Sequence, residues 1–252
     1  MSFVNPLTAA WDAGGVVRGG WCTSPSAVVA EAMASAGFDY VCVDLQHGAV
    51  DYADAVHMFQ AVEARGAVPI ARVPSNDLGT IGKVLDAGAL GVVVPLVDDA
   101  EQAAAAVAAC RYPPRGRRSF GPVRASTVVG SRAVEDLDRV VVAVMVETRE
   151  GLADVERIAA TPGLDAIYVG PSDLSLALGL PPAFEHDAPE HVAAVRRIRE
   201  ACDAAGVVAG IHCADGAMAA RRLAQGFRMT TVATDLALVR SGAAAELARA
   251  TG

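Results

Sequence analysis

Lysine is almost missing from this sequence: Lys83 is the only one among 252 residues. A mechanism that runs through a Schiff-base lysine must therefore use Lys83 or be dropped. Lys83 sits in IGKVLDAG, a helical pattern and not a strand end. Cysteine is sparse and unpatterned. Cys22, Cys42, Cys110, Cys202 and Cys213 are odd in number and form no CxxC pair, so neither a disulfide framework nor a zinc knuckle is indicated. A reducing cytoplasm is the expected setting. No apolar run reaches the roughly 18 uncharged residues of a membrane span. The opening MSFVNPLTAAWDAGG lacks the basic flank and long apolar core of a signal peptide. No broad basic footprint exists, and the net charge of -8 argues against nucleic acid as a partner.

What is present is an apolar chain. Hydrophobic residues make up 53% and charged residues 20%, which excludes a disordered chain. Short β-branched runs alternate with Ala-rich stretches. Strands are expected at Val16–Cys22, Tyr40–Asp44, Val68–Val73, Gly91–Val94, Val140–Val146, Ala166–Val169, Val207–Ile211 and Met229–Val232. Each is nearly continuously apolar, as for parallel strands covered on both faces. Helices are expected at Ser26–Ala36, Ala53–Arg65, Leu78–Ala87, Asp99–Arg111, Arg149–Ala160, Glu190–Ala205, Asp215–Gln225 and Leu236–Ala250. About eight strand–helix units with no composition break match a single-domain (β/α)8 TIM barrel. A doubly wound open sheet is the alternative, but no G-x-G-x-x-G follows the first strand.

The polar residues that close apolar strands carry the chemical signal. Asp44, with Gln46 and His47, ends YVCVDLQHG; Arg72 ends IARVP; Glu147 ends VMVETRE; Asp173 follows YVGPSD. In a barrel these ends share one rim, where active sites are built. Charges there cost desolvation unless paired or bound to metal. Glu147 and Asp173 lie one β/α unit apart, and two carboxylates with waters and substrate oxygens suit Mg²⁺ or Mn²⁺. A helix cap for Asp173 and a salt bridge for Glu147 are the plain alternatives. His47 near Asp44 suggests a carboxylate-oriented imidazole. Arg72 offers a fork to a keto oxygen or carboxylate, or a structural ion pair. His212 ends the seventh strand at the same rim. His57, His186 and His191 read as surface residues. Arg115, Arg117, Arg118 and Arg124 cluster in the long connection Tyr112–Ser131; they could attract an anion or serve as a loop or subunit contact. A second long connection, Pro171–Pro189, opens with Gly170-Pro171-Ser172, a weak signal for an anion-binding helix start.

Together these segments resemble the HpcH/HpaI-type class II pyruvate aldolases over nearly the whole chain. The likeness is carried by AGFDYVCVDLQHG, ARVPSND, GALGVVVPLVDDAEQA, CRYPPRGRRSFGP, VETREGL, PGLDAIYVGPSDLSLALG and GFRMTTVATDLALV. The resemblance implies a metal-dependent carbon–carbon lyase that cleaves a 4-hydroxy-2-oxo acid to pyruvate, or a relative such as hydroxypyruvate, plus an aldehyde. It implies Glu147 and Asp173 as ligands of Mg²⁺, Mn²⁺ or Co²⁺, no organic cofactor, Arg72 as catalytic arginine, and His47 with Asp44 as acid–base dyad. Ser172 and Asp173 would offer backbone N–H groups to the carboxylate. Trp21, Gln46, Met145 and His212 are expected to bind substrate. The partners implied are small molecules and further copies of the chain, as a hexamer or trimer with the last helix exchanged. Gln46 replaces a frequent Glu. Met145 stands where related hydroxy-dioate aldolases carry Gln, and His212 where an apolar residue is common. Two rival readings are a citrate-lyase-like acyl-CoA ester lyase and a non-catalytic barrel that binds metal and 2-oxo acid.

Overall fold

The apolar runs form eight parallel strands: β1 (Val17–Cys22), β2 (Tyr40–Asp44), β3 (Val68–Arg72), β4 (Gly91–Val94), β5 (Val141–Val146), β6 (Ala166–Val169), β7 (Val208–Ile211) and β8 (Met229–Thr234). They pair in chain order, and β8 returns to pair with β1, so the sheet closes. This is a (β/α)8 barrel, described by a computed structural model over residues 2–251. The open-sheet alternative is excluded by the β1–β8 pairing.

Side-chain alternation divides each strand between two cores. In β5, Val141, Ala143 and Met145 fill the barrel interior, while Val142, Val144 and Val146 pack against the helical shell. In β2, Tyr40 and Cys42 point in and Val41 and Val43 point out. Both faces are buried, which is why the strands read as unbroken apolar runs. The interior is tight. A Cβ on Gly19 would fall 2.0 Å from the Tyr40 ring, so β1 carries glycine where the tyrosine crosses.

The helices start at side-chain caps: Asp51, Asp77, Asp99 and Asp215 each accept from a backbone N–H of the first turn. The single helix expected over Arg149–Ala160 is two short ones, Arg149–Ala153 and Val155–Ala159, divided at Asp154. An element not expected, Pro6–Asp12, plugs the N-terminal end of the barrel with Leu7 and Trp11. The last helix, Asp235–Thr251, follows β8 with no loop, and only Asp235 in it is buried. Leu236, Leu238, Val239 and Leu247 stand exposed along it. No helix among the described residues is long and apolar enough to cross a membrane.

Candidate active site

The interior parity of each strand, carried past its last apolar residue, selects the site. Tyr40 and Cys42 lead to Asp44; Val68 and Ile70 lead to Arg72; Val141, Ala143 and Met145 lead to Glu147. Each polar side chain thus inherits an inward direction at the C-terminal mouth. There a cavity of about 340 Å³ is lined by Trp21, Asp44, His47, Arg72, Met145, Glu147, Ser172, Asp173 and His212. These are all the expected site residues except Gln46. That side chain lies off the cavity wall, its amide oxygen buried without a partner, and its backbone N–H donates to Asp44.

Asp44 and Arg72 are register partners across β2 and β3. The guanidinium donates to Asp44 through two nitrogens, Nε at 2.9 Å and Nη2. Asp44 also accepts from Trp21 Nε1 at 3.2 Å and from the backbone N–H groups of Gln46 and His47. Burial pushes its carboxyl up, but the Arg72 and Trp21 hydrogen bonds outweigh it and hold the group below the usual carboxylate range. The expected Asp44–His47 dyad is therefore corrected. Asp44 holds the His47 backbone, and its acceptor sites are filled by Arg72 and Trp21, so no hydrogen bond joins it to the His47 ring among the described residues. His47 itself is exposed at the mouth. Arg72 Nη1 carries no protein partner among the described residues and is free for a ligand. The guanidinium also lies 5.1 Å from the Trp21 ring centroid, a cation–π contact that fixes its plane.

Glu147 is 2% exposed. Its Oε1 accepts from the Leu96 N–H at 3.0 Å, while Oε2 is buried with no partner. Burial pushes its carboxyl up, the Leu96 hydrogen bond opposes, nearby Asp173 pushes further, and Arg72 draws it down; the result is about 7. Gly170 makes room for this oxygen, since a Cβ there would fall 2.0 Å from Glu147 Oε2. Asp173 is presented from the first turn of the short helix Pro171–Ala177 after β6. An orphaned carboxylate oxygen in a cradle kept open by glycine, with a second carboxylate on the same wall, fits a divalent cation. No group of three or more His, Cys, Asp or Glu side chains converges among the described residues. Two carboxylates leave room for substrate oxygens and water, the pattern Mg²⁺-type ions favour.

His212 is enclosed by aromatic rings: Trp21 edge-on at 4.9 Å and Phe184 stacked at 5.5 Å. Burial and the Arg72 charge pull its imidazole down to about 4, so it stays neutral. Phe184 and Arg240 line the same cavity and were not expected. Phe184 lies in a long irregular segment, and Arg240 on a helix whose rim placement depends on β8 running two residues past its apolar run. The arginines of the Tyr112–Ser131 connection do not line the cavity. That segment joins a helix to the start of β5, at the opposite end of the barrel. Arg115, Arg118 and Arg124 are bound there to Asp138, Asp86 and Glu63. His191, expected at the surface, is buried, its Nε2 3.4 Å from the Pro171 carbonyl oxygen. Lys83 also lies away from the cavity, its Nζ 4.1 Å from the Tyr52 ring centroid.

Comparison with known proteins places the chain in a family. A hydroxypyruvate/pyruvate aldolase from Rhizorhabdus wittichii is 39% identical over 95% of this chain and 96% of that protein. A 2-dehydro-3,6-dideoxy-6-sulfogluconate aldolase from Pseudomonas putida is 38% identical over 89% of both chains. The crystal structure of an HpcH/HpaI aldolase/citrate lyase family protein from Burkholderia cenocepacia superposes with a TM-score of 0.89 at 31% identity over 98% of both chains. The family profile itself matches residues 18–242. The chain thus belongs to the HpcH/HpaI aldolase/citrate lyase family, a family of carbon–carbon lyases.

Proposed function

We propose that this protein is a class II aldolase that reversibly cleaves a 4-hydroxy-2-oxo acid to pyruvate, or a close relative such as hydroxypyruvate, and an aldehyde. The observation that carries the reading is the buried, unpartnered Glu147 Oε2 beside Asp173, facing an Arg72 that Asp44 holds in place. A divalent cation, Mg²⁺, Mn²⁺ or Co²⁺, held by Glu147 and Asp173 supplies Lewis-acid charge at the keto acid when bound. The protein's own groups do the rest. Arg72, with Nη1 unspent, meets the oxyanion that develops at C2 as the C3–C4 bond breaks. His47, exposed at the mouth, takes the 4-hydroxyl proton as the C4 carbonyl forms, and C3 is then protonated. The N–H groups of Ser172 and Asp173, in a helix first turn where no intrahelical acceptor is available, face the carboxylate. Trp21, Met145 and His212 bound the aldehyde side.

A Schiff base is disfavoured because Lys83 is remote from the cavity. The five cysteines are buried and unpaired, which suits a reducing compartment such as the cytoplasm. The last helix, exposed along almost its whole length with four large apolar side chains in the open, suits exchange between subunits of a hexamer or trimer. Sedimentation of the full chain against one truncated at residue 236 tests that assembly. The activity is tested by chelation. Protein stripped with EDTA loses both pyruvate release and proton exchange at the pyruvate methyl, and Mn²⁺ or Mg²⁺ restores both; full activity in the stripped protein sinks the proposal. Assay of malyl-CoA and citramalyl-CoA beside free hydroxy-oxo acids separates the acyl-CoA lyase reading. Pyruvate binding without exchange would favour the non-catalytic one.

A further inference from the structure

The charges around the cavity are unevenly distributed. Glu147 and Asp173 follow β5 and β6, on one side of the mouth. Asp44 and Arg72, on β2 and β3, cancel as a buried ion pair. The remaining side, at β7, β8 and β1, is lined by the aromatic group of Trp21, Phe184 and His212, with Arg240 above them. Arg240 makes no ion pair or hydrogen bond among the described residues, although its chain has acidic neighbours. Asp235, one and a half turns earlier, is buried and accepts from the backbone N–H and the hydroxyl of both Thr23 and Ser24 at 2.6 to 3.0 Å. Glu246 is paired with Arg249. The Asp235 hydrogen bonds also tie the first turn of the last helix to the end of β1, and from that anchor the exposed Arg240 reaches the cavity wall. His212 adds no charge near neutral pH. With the two acidic side chains answered by a cation, Arg240 is the one uncompensated charge on the cavity wall.

We propose that Arg240 recognises an anionic terminal group, a carboxylate, phosphate or sulfonate, on the aldehyde half of the substrate. The assignment rests on the aldolase reading above and extends it to the half of the substrate that the metal and Arg72 do not hold. A keto acid anchored at the β5–β6 side places its C4 substituent across the mouth, past the neutral rings of Trp21, Phe184 and His212, toward the β8 side. A terminal anion there meets the guanidinium, which is suited to bidentate recognition of carboxylate or phosphate. A neutral aldehyde of the same size leaves that charge unused.

The test is aldol addition of pyruvate, in the Mn²⁺-loaded protein, to two matched aldehyde pairs: succinic semialdehyde against butanal, and glyceraldehyde 3-phosphate against glyceraldehyde. The readout is the ratio of kcat/KM within each pair. The native protein favours the anionic member of at least one pair by about 10- to 100-fold, the worth of a charge-assisted hydrogen bond, and the preference shrinks as salt rises. The pair showing the larger preference separates a carboxylate from a phosphate tail. Arg240→Gln brings the ratio near unity, mainly through KM for the anionic aldehyde. Arg240→Lys keeps part of it, and Arg240→Glu inverts it. An unchanged ratio in Arg240→Gln, or a native preference for both neutral aldehydes, overturns the assignment. Metal-dependent proton exchange at the pyruvate methyl is measured alongside. Exchange with an unchanged ratio defeats the Arg240 assignment alone; absence of exchange and cleavage defeats the aldolase reading with it.

Discussion

The two ends of the barrel use the same alternating strands to opposite purposes. At the N-terminal end, helix Pro6–Asp12 closes the interior with Leu7 and Trp11, and the polar groups of Asn5, Trp11 and Arg228 around it find partners. Asn5 Nδ2 donates to the carbonyl oxygens of Leu90 and Arg139 at 2.8 and 3.0 Å. Trp11 Nε1 donates to the Arg228 carbonyl, and Arg228 returns hydrogen bonds to the Trp11 and Gly15 carbonyls. At the C-terminal mouth the interior is left open, Glu147 Oε2 is orphaned, and His212 is held neutral among rings. The plugging helix uses its polar groups for the fold; the mouth keeps Glu147 Oε2 available. A buried carboxylate oxygen without a partner is costly, so Glu147 Oε2 on the cavity wall marks where a ligand supplies what the protein withholds.

The largest effect breaks the open end. Glu147→Gln keeps the volume and removes the charge. Metal-dependent pyruvate release should fall by about 1,000-fold or more, a loss of about 4 kcal/mol of barrel-mouth stabilisation in the transition state. Asp173→Asn should fall in the same range. A coupled assay for pyruvate at saturating Mn²⁺ checks both. The mirror experiment breaks the closed end. Trp11→Ala should cost about 3–5 kcal/mol of unfolding free energy, as for large aromatic truncations in a core. The kcat of the folded protein should remain native, because Trp11 lies a barrel length from the mouth. Urea titration and kinetics on one preparation give both numbers.

The difference between the ends also decides what could be read from sequence. Strand identity was legible because burial on both faces writes β-branched runs such as VVAVMV. The polar residue after each run was legible because a charge there is anomalous; this located Asp44, Arg72, Glu147 and Asp173 on one rim. Parity would have gone further, since Tyr40, Cys42 and Asp44 share a direction that period two alone assigns. The partner choice of Asp44 was not legible, because register between β2 and β3, not spacing along the chain, sets Arg72 opposite it. Gln46 was misplaced for a related reason: two residues beyond the end of β2, period two no longer holds. The plugging helix was missed although Asn5-Pro6 is a good start signal, an N-cap followed by proline at the first helical position. Its apolar set, Leu7 and Trp11, is too short to show a period. Phe184 and Arg240 lie where only the folded mouth defines a neighbourhood.

A smaller effect sharpens the comparison through pH. Burial, with Asp173 nearby, raises the Glu147 carboxyl from the usual 4.5 to about 7 in the folded chain. Between those values the folded state keeps a proton that the unfolded chain has released, so stability falls as pH rises through that window and is lowest above it. Glu147→Gln has no such proton. In the presence of chelator the variant should be the more stable at pH 8, by on the order of 2–3 kcal/mol, and the advantage should vanish near pH 4. Saturating Mn²⁺ should reverse the order at pH 8, because only the native carboxylate gains from the cation. Denaturation curves at the two pH values, with and without metal, check the sign. An advantage for the variant that is independent of pH would mean that the carboxylate is not the source of the cost.

The smallest effect concerns the closed end and separates a cap from a bridge. Asn5 does two things at once. Its Oδ1 accepts from the Leu7 N–H at 3.1 Å as the cap of the plugging helix, and its Nδ2 joins the Leu90 and Arg139 carbonyls. Asn5→Ala loses both and should cost about 1–2 kcal/mol. Asn5→Asp keeps a good cap acceptor, and on capping grounds alone should be nearly neutral. Here it replaces a two-armed donor with a carboxylate oxygen facing two carbonyl oxygens. If the bridge dominates, Asn5→Asp is at least as destabilising as Asn5→Ala near neutral pH, and it recovers toward acid pH as the carboxyl gains a proton to donate. If the cap dominates, Asn5→Asp stays near the native stability. Thermal melts of both variants at pH 5 and pH 8 distinguish the two. The bridge outcome would show that the closed end is held across the barrel rather than within its helix.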